Sequence, residues 1–237
     1  LAGSSKKDLF AYSRGLADPL AGRPWARDTI IDISSVTKAI GTATAAALCI
    51  ERGLIDPDAC FTRYLPPYTG RMAVPVTIRH LACHYSGVKP NYRLVDDPAL
   101  LLKNILSSNF TAPPMTRYLY SCVNYHFMAL MIEHVTGAAL DAFAQEHIFA
   151  PLGMTDTRWA RPPDGARDRL ARTGRDMDRE PGLIFDLWAS VLYPRAAGNA
   201  GLFTTAADIA KFARMMAARG KGFFKTDRMV AELFASA

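Results

Sequence analysis

Apolar and polar positions follow two different periods along this chain. Near the N-terminus, the stretch Asp8 to Asp18 with Leu9, Phe10, Ala11 and Tyr12, and the stretch Thr29 to Ile33, read as strands. Asp18-Pro19 and Ala21-Gly22-Arg23-Pro24 between them are turn residues. As sequence neighbours, the two strands are expected to pair in an antiparallel sheet. From Ala39 to Arg52 the texture changes. Ile40, Ala43, Ala45, Ala46, Ala47, Leu48 and Ile50 leave no polar stripe, which predicts a helix buried on all sides and closed by Gly53.

Helical spacing recurs through the middle of the chain. Val76 to Leu81 predicts a short helix, and Asp97 to Leu106 another with Leu101, Leu102 and Ile105 on one side. Asn124 to Val135 carries Tyr125, Met128, Ile132 and Val135 at helical spacing, with Gly137 as terminator; Leu140 to Ile148 continues the habit up to Pro151. Arg158 to Arg195 is polar and irregular except for Leu183 to Leu192. Thr205 is expected to cap a helix from Ala206 to about Ala218, and Thr226 or Asp227 to cap Arg228 to Phe234. The pattern predicts an α+β protein in three stretches: N-terminal strands and a buried helix over 1–60, a helical region with loops over 61–195, and a return to the first unit over 196–237.

Composition narrows the class without naming it. At 237 residues the chain is one large domain or two interleaved ones. Half of it is apolar and 21% charged, ordinary for a soluble protein, and no apolar run approaches the roughly 20 residues of a bilayer span. Net charge is +6 and the pI about 9.2, but the most basic stretch, Arg158 to Glu180, mixes seven arginines with Asp164, Asp168, Asp176, Asp178 and Glu180. Mixed signs predict a solvated surface loop and no nucleic-acid partner. Cys49, Cys60, Cys83 and Cys122 show no paired spacing and predict no disulfide framework. The chain opens at Leu1, so a leader or strand is expected to precede it. The compartment is open, with the cytoplasm slightly preferred over the periplasm; the oligomeric state is open as well.

Candidate chemistry centres on Ser34-Ser35-Val36-Thr37-Lys38. Ser35 and Lys38 stand three apart at the start of the buried helix, a spacing that brings an amine beside a hydroxyl. A serine becomes a nucleophile only when a neighbour takes its proton, and an amine does so when burial lowers its pKa from about 10.4. The unpaired N–H groups of a helix start can supply half of an oxyanion hole.

Several segments together resemble the penicillin-recognising serine hydrolases: class C β-lactamases, D-Ala-D-Ala carboxypeptidases and β-lactamase-like esterases. Ile33 to Lys38 resembles their S-x-x-K nucleophile motif, and Thr77-Ile78-Arg79-His80-Leu81 through Ser86-Gly87 their T-I-R-H-L segment. Thr116 to Cys122 is similar to the segment carrying Y-x-N or Y-S-x, with Tyr120 as the matching tyrosine. Pro151-Leu152-Gly153-Met154 and Gly198 to Thr205 are similar to their P-L-G-M and G-H-A-G-L-F stretches. The resemblance implies a β-lactamase/transpeptidase-like fold: an antiparallel sheet flanked by helices, with an inserted helical subdomain and the site in the cleft between them. It also implies that Ser35 attacks an acyl carbon while Lys38 and Tyr120 manage its proton.

Three departures shape the functional expectation. Cys122 stands where β-lactamases of this kind have a substrate-binding asparagine, and a thiol is a weak donor and acceptor. Asn124 either takes over that contact or caps a helix, with the cap favoured. Asn199 replaces a histidine and is carried as a further substrate-binding candidate. The last motif, K-T-G or H-x-G, is matched only superficially by Lys225-Thr226-Asp227, and the strands that carry it in the family are expected to lie outside this chain. His80 and His84 stand four apart without an accompanying glutamate; no metal and no cofactor are expected. His126, His134 and His147 are expected to be packing or surface residues. The expected activity is a serine hydrolase acting on a small ester, with a β-lactam or D-amino-acid peptide as alternatives. A non-catalytic peptide- or acyl-binding relative is the reading from another class.

Overall fold

The computed structural model describes residues 1–90, 95–159, 164–173 and 181–225. Three small antiparallel pairs form its β component. β1 (Ala2–Gly3) pairs with β2 (Asp8–Phe10), β3 (Leu16–Asp18) with β4 (Arg23–Pro24), and β5 (Ile30–Asp32) with β6 (Phe203–Thr205). The single strand expected over Asp8 to Asp18 is thus broken in two. Gly15, at φ +89°, turns the backbone between the two pieces. The expected pairing of neighbouring strands is also corrected, because Ile30, Ile31 and Asp32 face Thr205, Thr204 and Phe203 instead. Period-two patterning marks a strand; it does not name the partner.

The helix expected after Ser35 is present but changes winding. Ser34–Val36 is a tight 3-10 turn, Lys38–Ala43 is wound in wider π turns, and α1 (Thr44–Glu51) is regular. Thr44 Oγ1 donates to the Ala39 carbonyl at 2.9 Å within the widened stretch. Ala45, Ala47 and Cys49 are fully buried, in keeping with the apolar run. Gly41 permits a close contact: a methyl built on it would stand 2.2 Å from the Trp159 ring. Gly53, at φ +72°, ends the helix as expected.

The remaining helices are α2 (Ile78–Ala82), α3 (Pro98–Leu106), α4 (Cys122–Thr136), α5 (Leu140–Ala144), α6 (Leu187–Leu192) and α7 (Ala206–Ala217), of which α4 and α5 pack against α1. Thr205 caps α7 through its side chain, as predicted, and Asp97, expected as the first residue of its helix, caps α3 in the same way. The cap expected from Asn124 is corrected. Ser121 Oγ accepts the Val123 N–H, α4 begins at Cys122, and Asn124 lies inside the helix with its side chain fully buried. The reason is that Ser121 offers an equally good capping oxygen and its extended backbone enters the helix one turn earlier.

α4 is buried from Val123 to Ala129 and lies against both α1 and α2, forming the second wall of the core. Phe61, Tyr68, Phe110 and Phe127 pack as an aromatic cluster at one end, with centroids 5.0 to 6.3 Å apart. Among the described residues, no single helix is long and apolar enough to cross a membrane. The predicted cap at Thr226 or Asp227 and the helix over 228–234 lie outside the described residues.

Candidate active site

β5 delivers the chain to the nucleophile turn. Asp32, at its end, accepts the Ser34 N–H on Oδ1 at 2.7 Å and the Phe185 N–H on Oδ2 at 2.7 Å. Ser34 itself sits at φ +46°, a left-handed conformation that costs energy for a residue with a Cβ. The carboxylate therefore holds a strained turn in place and ties it to the loop before α6. The next residue, Ser35, is exposed.

Lys38 is 5% exposed, and its ammonium has two oxygen partners. Nζ donates to Ser35 Oγ at 3.2 Å and to the backbone carbonyl of Asn199 at 2.9 Å. Residues three apart on helical backbone share a face, which is how the spacing predicted from sequence becomes a contact across the junction of the 3-10 turn and the π-wound stretch. The Asn199 carbonyl is presented by a segment stitched along the helical stretch. Thr42 Oγ1 donates to the Gly198 carbonyl at 2.7 Å, Thr37 Oγ1 accepts the Leu202 N–H at 3.2 Å, and the Ile33 N–H reaches the Leu202 carbonyl at 3.0 Å. Gly198 is required here, since a methyl on it would come within 2.0 Å of the Tyr125 carbonyl.

The third wall comes from the approach to α4. Tyr120 is 43% exposed, and Lys38 Nζ lies 5.0 Å from its ring centroid and 5.8 Å from that of Tyr125. Lys38 thus borders two predicted site residues from distant segments, Ser35 through a hydrogen bond and Tyr120 through the face of its ring. Tyr118, two residues before Tyr120, packs its ring edge-on against Tyr85. Cys122 is half-buried at the first position of α4. Asn124 and Asn199 are placed differently: both side chains are fully buried. Asn124 Oδ1 accepts from Ser86 Oγ at 2.7 Å, while the side-chain amide of Asn199 finds no hydrogen-bond partner among the described residues.

The histidines divide the same way. His80 Nδ1 accepts the Thr77 N–H at 3.1 Å in a reciprocal cap of α2. His84, weighed from the sequence only as half of a metal pair and set aside, is a neighbour of the site. Its Nδ1 faces the Ser121 N–H at 3.2 Å and the Asn124 side-chain nitrogen at 3.1 Å, and its ring lies 4.4 Å from that of Tyr120. Burial, together with the Lys38 charge, pushes its pKa down to about 4. Burial, again reinforced by Lys38, takes His126 down to about 3. Asp32 was also unmarked by any sequence signal beyond its position three residues before Ser35.

Lys225, the start of the superficial K-T-G match, bonds through its backbone N–H to Glu51 at the far end of α1. That is about 15–20 Å of helix away from Lys38. Thr226 and Asp227 lie outside the described residues. Of the basic stretch, Arg169 pairs with Asp156 and Asp28, and Arg172 with Asp18.

In a comparison against known families, the Beta-lactamase family model matches residues 4–233. The chain belongs to the β-lactamase family. Family members are serine hydrolases, and the fold is the β-lactamase/transpeptidase-like one that the motifs implied. Esterase EstB of Burkholderia gladioli is 31% identical over 172 residues, covering 62% of this chain and 43% of that protein. A penicillin-binding protein of Bacillus subtilis (strain 168) is 30% identical over 176 residues, covering 67% of this chain and 37% of that protein. The chain therefore spans less than half the length of these two relatives. Among solved structures, a β-lactamase/D-alanine carboxypeptidase from Pseudomonas syringae superposes with a TM-score of 0.75 at 20% identity, covering 93% of this chain and 60% of that one.

Proposed function

We propose that this chain carries the nucleophile half of a serine hydrolase site that works through an acyl-enzyme on Ser35. The observation that carries the reading is the buried Lys38 ammonium held between Ser35 Oγ at 3.2 Å and the Asn199 carbonyl at 2.9 Å. With one acceptor fixed by the backbone, the amine has a single orientation, and that orientation addresses the serine.

In this mechanism Ser35 Oγ attacks the substrate carbonyl carbon and its proton passes to the Lys38–Tyr120 pair in the state that holds one proton fewer, an ammonium beside a phenolate or a neutral amine beside a phenol. The tetrahedral oxyanion is met by the backbone N–H of Ser35 at the start of its turn. Collapse breaks the bond to the leaving group, which takes the proton. Water then adds to the ester carbonyl under the same base, and the acid departs as Ser35 recovers its hydrogen. Asn124 and Asn199 act from beneath this surface, through the His84 cluster and through the Lys38 clamp, rather than by touching substrate.

Small carboxylic esters are the favoured substrates. Cys122, at the open end of α4, cannot hydrogen-bond a substrate amide as an asparagine does. The alternative is a β-lactam or D-Ala-D-Ala peptide substrate, favoured by the names of the Bacillus and Pseudomonas relatives. Rates on a short-chain p-nitrophenyl ester and a chromogenic cephalosporin decide between them. Loss of both in Ser35→Ala identifies the nucleophile; turnover that survives the substitution refutes the reading.

A further inference from the structure

The strongest unexplained cluster lies directly under Tyr120. His84 adopts φ +61° although it is neither glycine nor asparagine, a conformation whose cost of about 1 kcal/mol or more must be met by its contacts. Those contacts form a directed chain. The Val88 N–H donates to Ser86 Oγ at 3.2 Å, and Ser86 Oγ donates to Asn124 Oδ1 at 2.7 Å. That bond fixes the amide, so Asn124 Nδ2 is the atom that points at His84 Nδ1, 3.1 Å away. The Ser121 N–H converges on the same nitrogen at 3.2 Å.

Two donors aimed at Nδ1 make it an acceptor, so the proton of the neutral ring is on Nε2. The ring is then a platform. Tyr120 tilts over it at 4.4 Å and 39°, Tyr125 at 5.3 Å and 37°, and Tyr118 meets it edge-on at 6.0 Å. The His84 carbonyl also accepts the Leu119 N–H at 2.9 Å, which anchors the backbone one residue before Tyr120. Main chain and ring of one residue thus locate both ends of Tyr120.

We propose that His84 is a positioning residue for the acyl-transfer reaction: as a neutral, doubly hydrogen-bonded ring, it sets Tyr120 against Lys38 so that the phenol can take part in moving the Ser35 proton. The inference rests on the Ser35–Lys38–Tyr120 reading given above. Neutrality belongs to the role. An imidazolium would lose its acceptor nitrogen, face two donors with a third, and stand beside the Lys38 ammonium. Tyr125, Tyr118 and Cys83 offer no fixed negative charge to offset it.

The test is a double-mutant cycle read as the rate at which a fluorophosphonate labels Ser35. His84→Asn is the main variant, because asparagine tolerates positive φ and retains an acceptor but has no ring; His84→Gln is made alongside it. Both are combined with Tyr120→Phe, and thermal melts set each rate on a folded-protein basis. The expected result is about a tenfold loss for His84→Asn alone and less than about a twofold further loss in the Tyr120→Phe background. Losses that multiply in the double variants, or wild-type labelling rates in the single ones, overturn the proposal. Failure of both His84 variants to fold assigns the residue to the core alone and overturns it too. Absence of labelling in the unsubstituted protein, or equal labelling of Ser35→Ala, refutes the hydrolase reading instead, and is told apart by that control.

Discussion

Lys38 reaches across 161 positions of sequence to donate to the backbone carbonyl of Asn199 at 2.9 Å. No side-chain substitution removes that acceptor, so its consequence is best seen from the other partner. Lys38→Met keeps the length and apolar stem while deleting the charge. Removing a buried ammonium offsets the lost hydrogen bonds, so the melting temperature is expected to change little. Fluorophosphonate labelling of Ser35 is expected to slow by about 10²–10⁴. Labelling that matches the unsubstituted rate would remove Lys38 from the mechanism.

Gly41 and Trp159 make a second testable contact. A methyl on Gly41 would stand 2.2 Å from the indole, whose Nε1 is itself held by the Ala197 carbonyl at 3.0 Å and so resists moving. Gly41→Ala is expected to destabilise by about 1–3 kcal/mol, roughly 2–4 °C of melting temperature for each kcal/mol. A calorimetric melt unchanged by the substitution would show that the indole can shift freely.

Stability should fall as pH drops below neutrality, because His84 and His126 are held to about 4 and about 3 in the fold against 6.5 when unfolded. With the folded pKa depressed, the unfolded chain binds more protons between those values. Stability is therefore complete above about pH 6.5 and lost as pH falls toward 4, by at most about 1.4 kcal/mol per pH unit for each group. Melts between pH 7 and 4.5 are expected to show this slope, and His126→Gln to show a shallower one.

A separate acid-side effect belongs to Asp156. Arg169 donates to its two carboxylate oxygens at 3.0 and 2.7 Å and holds the acid below its ordinary 3.8. For a carboxyl with a lowered folded pKa, the contribution is present above the unfolded value and disappears as pH falls through the folded one. Asp156→Asn is expected to melt lower than the unsubstituted protein at pH 7, with the gap closing as pH drops below 3.8. A gap independent of pH would assign the effect to packing.

Cys122→Asn tests substrate choice. If the thiol is what disfavours amide-bearing substrates, an asparagine there is expected to raise the ratio of cephalosporin to ester turnover about tenfold, leaving ester turnover close to its starting value. An unchanged ratio would place the discrimination elsewhere in the cleft.

Much of this protein was legible one segment at a time. The apolar run after Lys38, the Thr205 cap and the Gly53 and Gly137 terminators are local events. Their physics involves residues a turn apart, so the linear chain contains what decides them. Ser35 and Lys38 belong to the same class, since their contact follows from a three-residue spacing. Tyr120 was found through its motif, not through any local rule.

What the chain order did not contain is which distant surfaces meet. β5 pairs with β6 rather than with the strand before it, because register depends on a core face assembled from both ends of the sequence. Ser121 took the cap expected of Asn124, freeing that amide to orient His84. Asp32 and the Asn199 carbonyl had no role assigned by any motif, and the segment that contains His84 gave it no partner. Hydrogen bonds and ring contacts to segments tens to more than a hundred residues away made them neighbours of the site, and only packing in three dimensions decides such partnerships.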